Sequence, residues 1–255
     1  MRRVGLAAVT CSFLILISLN SVFAQGAVVV PSSLTNVEGN IDNGYPFNCN
    51  CLSMRYQQVY LGSEIGSLNI SSINFRLESS FPSAFEPAVL PDVRIDLSTT
   101  QAVPGGLDSI FANNIGPDNT TVFFGDLTLS APTCTVTPCP FDITIPLQTP
   151  FSFDPSTGNL LLDVRIPTAV DIFNVDLGFV FFDATNEFGN ITSRVSSVNV
   201  NSPDGTVDNI ALVTQFVPFT FVSNIPTLSE WGLIALAAGL GMFGVFVLRK
   251  NKKMA

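Results

Sequence analysis

The chain has 255 residues, of which 47% are hydrophobic and only 12% are charged, against roughly 25% charged in an average soluble domain. Histidine is absent, which excludes Ser-His and Cys-His catalytic pairs and imidazole metal sites. The net charge of −9 argues against nucleic acid as a partner, because phosphate binding depends on lysine and arginine. The apolar content is high enough to build a core, so the composition favours a folded chain over a disordered one.

Residues 1–24 have the pattern of a secretory signal peptide. The positive pair Arg2-Arg3 precedes a mostly apolar run over residues 4–19, and Val22-Phe23-Ala24 offers small or aliphatic residues for a cleavage site before Gln25. We therefore expect export by the general secretory machinery and removal of this segment. An uncleaved anchor helix is the alternative.

Residues 25–224 form the predicted extracytoplasmic domain. They contain 19 acidic residues, five arginines and no lysine, so their net charge is −14. Neither a linker nor an internal repeat interrupts them, and 200 residues suit one large β-domain.

The hydrophobic pattern of this domain has a period of two, which is typical of strands with one buried face. Apolar and polar residues alternate over 73–78, 92–97, 141–147 and 160–166. Further β-branched or phenylalanine-rich runs occupy 56–61, 120–130, 175–182, 191–200 and 207–222. Turns rich in glycine and proline separate these runs, and only 107–113 could form a helical turn. We predict an all-β fold: a single antiparallel β-sandwich or jelly-roll-like domain.

The acidic side chains of these strands do not indicate catalysis. Asp92, Asp96 and Asp163 fall at outward positions of the alternating pattern, where charges are usually solvated, and none belongs to a recognisable catalytic motif. The 22 phenylalanines are expected in the core. Tyr45, Tyr56 and Tyr60, the domain's only tyrosines, are too few to favour a sugar-binding platform.

Four cysteines remain after signal removal, and an even number in an exported protein indicates disulfides. Cys134 and Cys139 fit a bridged loop, which leaves Cys49 with Cys51. Cross-pairing of the two segments is a second arrangement. A zinc site is a third, although C-x-C with C-x₄-C is not a typical zinc spacing.

Two acidic turns offer oxygen ligands for calcium. They are residues 204–209, with Asp204 and Asp208 as the first candidates, and residues 116–119. Neither matches a complete calcium loop, and ordinary turn formation is the alternative. No other cofactor is predicted.

A second apolar run, residues 232–248, contains 17 residues without a charge and precedes a basic tail over 249–255. A helix of that length rises about 26 Å, which predicts a transmembrane helix. The basic tail is expected to stay cytoplasmic, so that the domain before the helix lies outside.

The string IPTLSEWG stands immediately before this run. It comprises Ile225, Pro226, Thr227 and Leu228, followed by Ser229, Glu230, Trp231 and Gly232. The string, the apolar helix and the basic tail together resemble the IPTL-CTERM sorting signal, a variant of the PEP-CTERM class, over residues 225–255.

The resemblance implies processing near the motif by an exosortase, an integral-membrane cysteine transpeptidase, in a Gram-negative-type envelope. It implies membrane attachment through the C-terminal helix before processing, then a place at the cell surface or outside the cell, often alongside exopolysaccharide. Residues 55–165 also resemble, loosely, a domain of other secreted proteins with CTERM signals, which carries no known activity to transfer.

The sequence therefore predicts a non-enzymatic cell-surface or extracellular-matrix protein, sorted by an exosortase-type system and associated with exopolysaccharide or biofilm. Two alternatives stay open. One is a polysaccharide-binding or polysaccharide-active envelope protein. The other is a membrane-anchored protein that is never processed.

Overall fold

The computed structural model describes residues 26–48, 51–168, 180–219 and 230–252. The chain divides into two compact units, residues 1–219 and 220–255, and each is described by itself. The predicted signal peptide, residues 1–24, and the first five residues of the IPTL string lie outside the described residues.

The described residues of the first unit form mainly strands and the loops between them, as the alternating pattern predicts. These residues also contain one short helix, α1 (Gly62–Ile65), and two 3-10 turns at Ser32–Leu34 and Phe111–Asn114. The strands in the described residues are β1 (Val28–Val30), β2 (Ile41–Asn43), β3 (Met54–Tyr60), β4 (Leu68–Phe75), β5 (Phe85–Thr100), β6 (Thr120–Ala131), β7 (Ile143–Phe153), β8 (Asn159–Ile166), β9 (Phe182–Thr185), β10 (Thr192–Ser197), β11 (Thr206–Asp208), β12 (Ala211–Leu212) and β13 (Thr214–Pro218).

Two antiparallel sheets share one hydrophobic core, which is the arrangement of a β-sandwich. The smaller sheet has the order β1-β13-β4-β7, and the larger has the order β11-β10-β3-β8-β5-β6. Ile73 and Phe216 from the first sheet join Tyr56, Ile95 and Leu162 from the second in the same buried cluster. The predicted all-β fold is therefore confirmed, and we call residues 26–219 the β-sandwich.

A small third sheet completes the β-structure, and a loop covers part of the outer face of the six-stranded sheet, which the alternating pattern predicts to be exposed. The third sheet has the order β12-β9-β2. On the outer face of the six-stranded sheet, Leu107 and Phe111 pack with Val59, Leu161 and Val195 in a second apolar cluster. The segment that carries Leu107 and Phe111 thus gives the sheet a partly buried second face.

Because the outer face of the six-stranded sheet is partly covered, the prediction that its acidic residues are solvated is wrong for two of them. Asp96 and Asp163 lie on the outer face and are nevertheless buried, whereas Asp92 is exposed as predicted. The period of two correctly assigned Asp96 and Asp163 to the face opposite the core. It could not show that a distant loop and neighbouring arginines would exclude water from that face.

One predicted disulfide is present. Cys134 and Cys139 are bonded, with their Cα atoms 5.6 Å apart. Cys51 is also disulfide-bonded, and Cys49, its predicted partner, lies outside the described residues. Because Cys134 and Cys139 bond to each other, the alternative cross-pairing does not occur.

The second unit contains the helix α2 (Glu230–Lys252), which includes the whole predicted helical run 232–248. Within the described residues, no helix combines the length and the apolarity that a membrane crossing requires. The predicted transmembrane helix is thus helical, but its crossing of a membrane is not confirmed.

Candidate functional site

An open polar groove of about 620 Å³ lies at one edge of the six-stranded sheet. Its walls come from β10, β11 and the segment after β2. The residues that give it chemical character are Tyr45, Arg194, Ser196, Asp204, Thr206 and Asp208. An aromatic ring, an arginine, two carboxylates and hydroxyl groups therefore meet in one place.

The strand pairing of β10 with β11 places these side chains together. Arg194 is opposite Asp208, and Ser196 is opposite Thr206. The turn before β11 needs a glycine, because a Cβ on Gly205 would lie 2.6 Å from the Ser196 carbonyl oxygen. No real Cβ approaches a backbone oxygen so closely, so the close approach of this turn to β10 depends on Gly205.

Arg194 lines the groove and contacts three neighbouring side chains. Its Nε and Nη2 donate to the two carboxylate oxygens of Asp208 at 2.8 and 3.1 Å, and its Nη1 donates to Asn43 Oδ1 at 2.9 Å. The guanidinium also lies 5.2 Å from the centre of the Tyr45 ring, within the range of a cation–π contact. All three nitrogens of Arg194 are thus engaged by the protein itself.

The two predicted calcium candidates both line this groove, but their environments differ. Asp208 has both oxygens on Arg194, whereas exposed Asp204 accepts one hydrogen bond, from Ser202 Oγ at 3.1 Å. Calcium binding here stays a prediction, and it would require Asp208 to exchange a guanidinium for the ion. A rise in melting temperature with calcium beyond that with sodium at equal ionic strength would test it.

Tyr45 is the one tyrosine of the described chain with an accessible side chain. Tyr56 and Tyr60 are fully buried, and burial raises the pKa of both hydroxyls above the ordinary value, which keeps them protonated. The Tyr56 hydroxyl donates to Gln58 Oε1, and the Tyr60 hydroxyl is 2.9 Å from Thr214 Oγ1. These two tyrosines therefore belong to the buried polar network of the sandwich and offer nothing to a ligand.

A second charged site lies inside the protein and was not predicted from the sequence. Arg76 and Asp183 are both buried and form an ion pair, with 2.6 Å between Nε and Oδ2. The remaining nitrogens of Arg76 donate to the backbone carbonyl oxygens of Leu34, Thr35 and Val37. The pair thereby fixes the loop before β2 against the end of β4 and against β9.

The carboxyl of Asp183 also lies close to two glutamates. One oxygen from each of Glu38, Glu78 and Asp183 falls within 4.8 Å of the others. Burial, with a smaller contribution from Glu38, raises the pKa of Asp183 to about 6, although Arg76 acts in the opposite direction. Gly39 N donates to Asp183 Oδ1 at 2.8 Å, and a Cβ on Gly39 would lie 1.9 Å from the Ala184 carbonyl oxygen.

Glu38, Glu78 and Asp183 come from three distant segments, so no local sequence motif predicts the cluster. Each already has protein partners: Asp183 has Arg76, Glu38 accepts from Ser79, and Glu78 accepts from Ser80. The cluster accordingly explains how the loop is held. It does not form a vacant ligand set.

The predicted sorting residues are divided between the described and undescribed parts of the chain. Ile225, Pro226, Thr227 and Leu228 lie outside the described residues, whereas Trp231 and Gly232 belong to the first turn of α2. An ordered helix thus begins within the IPTLSEWG string, and the residues that carry the motif's name precede it.

Comparison with known proteins gives one match. Residues 225–250 match the family model described as the IPTL-CTERM motif. Neither the curated proteins nor the solved structures give a significant match to the chain. The predicted resemblance of the C-terminal segment is thus confirmed, and the looser resemblance of residues 55–165 is not shown. The chain carries an IPTL-CTERM sorting motif, which implies export to the cell envelope or surface and a sorting enzyme of the exosortase type.

Proposed function

We propose that this protein is a non-enzymatic cell-surface or matrix protein whose β-sandwich is delivered by exosortase-type processing at the IPTL string. The observation that carries the proposal is the match of residues 225–250 to the IPTL-CTERM motif. In this account the apolar helix retains the precursor in the membrane until the enzyme cleaves near the motif. The signal peptide predicted at residues 1–24 starts the export.

The chemistry of the β-sandwich agrees with a place outside the cytoplasm. The Cys134–Cys139 bridge suits an oxidising compartment. The net charge of −14 over residues 25–224 keeps the domain soluble and discourages non-specific self-association. Both properties favour an exposed structural or binding module in the envelope.

The environment of the buried acids supports a non-enzymatic function. Asp96, Asp163 and Asp183 are the buried aspartates of the described chain, and each forms an ion pair with at least one arginine. A catalytic carboxylate must exchange a proton with a substrate and therefore needs access to it. These three are instead enclosed, and each has at least one oxygen hydrogen-bonded to a guanidinium group.

The test is a peptide map of the protein in cells that possess the sorting enzyme. We expect peptides from residues 26–219 in the mature envelope or extracellular fraction without peptides from residues 233–248. The double variant Pro226→Ala with Thr227→Ala is expected to keep residues 233–248, because it alters the recognised string. Ser229→Ala, in the same string but outside the predicted recognition residues, serves as the matched control and is expected to be processed normally.

Recovery of residues 233–248 in equal amount with the β-sandwich in the wild-type envelope fraction would contradict processing. That result would favour the permanently anchored alternative. Equal processing of the double variant and the wild type would contradict recognition of the IPTL string, even if cleavage itself occurs.

The groove at Tyr45 favours polysaccharide binding as a second candidate function. The half-buried Tyr45 ring offers an aromatic surface, and Ser196, Thr206 and exposed Asp204 offer hydrogen-bonding groups beside it. An aromatic surface with such groups is typical of a sugar site. An array of neutral oligosaccharides tests this function. We expect Tyr45→Ala to abolish any binding that the wild type shows, while Tyr45→Phe keeps most of it. Binding that survives Tyr45→Ala would exclude the groove.

A further inference from the structure

Three of the five arginines in the β-sandwich stand side by side on the outer face of the six-stranded sheet. Arg55 on β3 is opposite Arg165 on β8, and Arg165 is in turn opposite Arg94 on β5. Neighbouring strands lie about 4.8 Å apart, so the three positions cover about 10 Å. We call Arg55, Arg165 and Arg94 the arginine row.

The row is unexpected because like charges directly opposite each other destabilise a sheet. It also holds most of the positive charge of a segment that has 19 acids, five arginines and no lysine. The two other arginines, Arg76 and Arg194, have all their nitrogens engaged within the protein. The arginine row is therefore the place on the β-sandwich where an anion would be attracted.

Two buried aspartates lie beside the row on the same face of the sheet, two residues along β5 and β8, and compensate two of its three charges. Asp163 accepts from Arg55 Nη2 at 2.9 Å and from Arg165 Nη2 at 3.2 Å. Asp96 accepts from Arg94 Nε at 2.8 Å. Three cations against two carboxylates leave one positive charge uncompensated. That charge matches one singly charged ligand group.

Arg165 is the surplus cation of the row. Asp163 would still have Arg55 and Gln57 Nε2 as donors without it. Arg165 makes one hydrogen bond within the described residues, and its Nε is buried with no hydrogen-bond partner there. The buried Nε is out of reach of a ligand, but Nη1 makes no hydrogen bond within the described residues, so the guanidinium still has a donor for an acceptor that the described chain does not supply.

The row becomes more accessible from Arg55 towards Arg94, and the surplus Arg165 lies between them. The exposed fraction of the side chain rises from 12% at Arg55 to 28% at Arg165 and 39% at Arg94. Arg55 is partly covered because its guanidinium lies 4.4 Å from the centre of the Phe111 ring. Phe124, the β6 residue opposite Arg94, is exposed and extends the row beyond Arg94 with an apolar surface.

We propose that Arg165 and Arg94 form a binding site for one carboxylate group of a small organic acid, with Phe124 contacting the body of the ligand. A planar guanidinium donates two parallel hydrogen bonds to a carboxylate, which makes arginine more suitable than lysine for this ligand. Asp96 and Asp163 act as positioning residues, because each holds a guanidinium through part of its donors and leaves the remaining donors for the ligand. This site is independent of the sorting motif and of the Tyr45 groove.

The test uses the full-length protein and the sugar acid galacturonate as the probe, with neutral galactose as the matched control ligand. Chemical-shift changes or calorimetry should detect galacturonate and not galactose. Arg165→Gln is expected to weaken binding about tenfold or more, since it removes a charge-assisted contact. Arg94→Lys keeps the charge beside Asp96 but loses the planar donor pair, and we expect it to weaken binding as well.

Ser33→Asp is the control for net charge. It lowers the net charge by one at an exposed position outside the row, the same change in net charge that Arg165→Gln makes within it by removing a cation, and it should leave binding within twofold of the wild type. Polygalacturonate distinguishes a site for one carboxylate from a site for an acidic polymer. We expect its affinity per carboxylate to be no higher than that of galacturonate, because the acidic domain repels the rest of the polymer.

Equal binding of galacturonate and galactose would overturn the proposal, as would equal losses in Arg165→Gln and Ser33→Asp. Much tighter binding of the polymer per carboxylate would also contradict a site for a single group. None of these results depends on cleavage at the IPTL string, so the proposal and the proposed function can fail separately.

Discussion

The arginines of the β-sandwich occur in two kinds of environment. Arg76 is buried, has all its nitrogens engaged and is the sole cation paired with Asp183 in the described residues. Arg165 is partly exposed, makes one hydrogen bond there and shares Asp163 with Arg55. Arg76 is thus required to balance a buried carboxylate, whereas Arg165 exceeds what the buried carboxylates beside it require.

The difference shows where function can reside in a protein with so few cations. An arginine whose donors are all used inside the fold stabilises the fold and has nothing left for a ligand. An arginine beyond what the buried carboxylates need retains its donors for a partner. Stability and binding should therefore respond to different arginines, and four predictions test this separation.

The largest expected effect is that of Arg76→Met. It leaves Asp183 buried without its cation, and breaking a buried pair from one side typically costs about 3–5 kcal/mol. The free energy of unfolding, measured by urea titration and circular dichroism, should fall by that amount. A loss no greater than that of Arg165→Gln would contradict the distinction between the two environments.

The next effect is a pH dependence at Asp183. Its pKa is about 6 in the folded protein because burial raises it from 3.8, so between these values the folded state binds more protons than the unfolded state. The free energy of unfolding should therefore fall as pH rises from 4 to 6, by about 3 kcal/mol from this group.

A ¹³C NMR titration of the Asp183 carboxyl measures this pKa directly. A midpoint below 4 would show that Arg76 outweighs burial, and the predicted dependence would then reverse. Urea titrations at pH 4.5 and 7 supply the corresponding change in stability.

A smaller effect is expected at the groove. Asp208→Asn replaces the ion pair with Arg194 by a hydrogen bond to a neutral amide, but Asp208 is 34% exposed, so we expect a loss of only about 1 kcal/mol. Asp204→Asn is the matched control in the same turn and should stay within about 0.5 kcal/mol of the wild type. Equal losses in both variants would show that the turn, and not the ion pair, determines stability here.

The smallest effect on stability is expected from Arg165→Gln, within about 0.5 kcal/mol of the wild type. Asp163 keeps Arg55 and Gln57 in this variant, and one repulsion within the row disappears. Arg94→Gln should be more destabilising, because buried Asp96 then has Thr121 as its remaining side-chain donor. Urea titration of both variants measures the difference, and the reverse order would show that Arg165 is not the surplus cation.

The strand pattern was predictable because it depends on local alternation. The runs at 92–97 and 160–166 became β5 and β8, and the turn at 202–205 leads into β11. The C-terminal motif was also predictable, since it is a linear string that the family model matches at 225–250.

The charge environments were not predictable, because they depend on contacts between distant segments. Asp163 is on the outward side of its strand, yet Arg55, 108 residues away, encloses it. The row itself follows from the register of β3, β8 and β5, which no local pattern of the sequence specifies. Tyr45 reaches the groove from a segment about 150 residues before Arg194.

The most direct test of the two environments is the set of arginine Nε–Hε signals in ¹H–¹⁵N NMR spectra, assigned with single Arg→Gln and Arg→Lys variants. We predict slow hydrogen exchange at Arg76 and Arg194, and no shift of either signal on addition of galacturonate. The Arg165 and Arg94 signals should shift with galacturonate and remain unchanged with galactose. Shifts confined to Arg76 and Arg194, or no shift at any arginine, would contradict the assignment of binding to the arginine row.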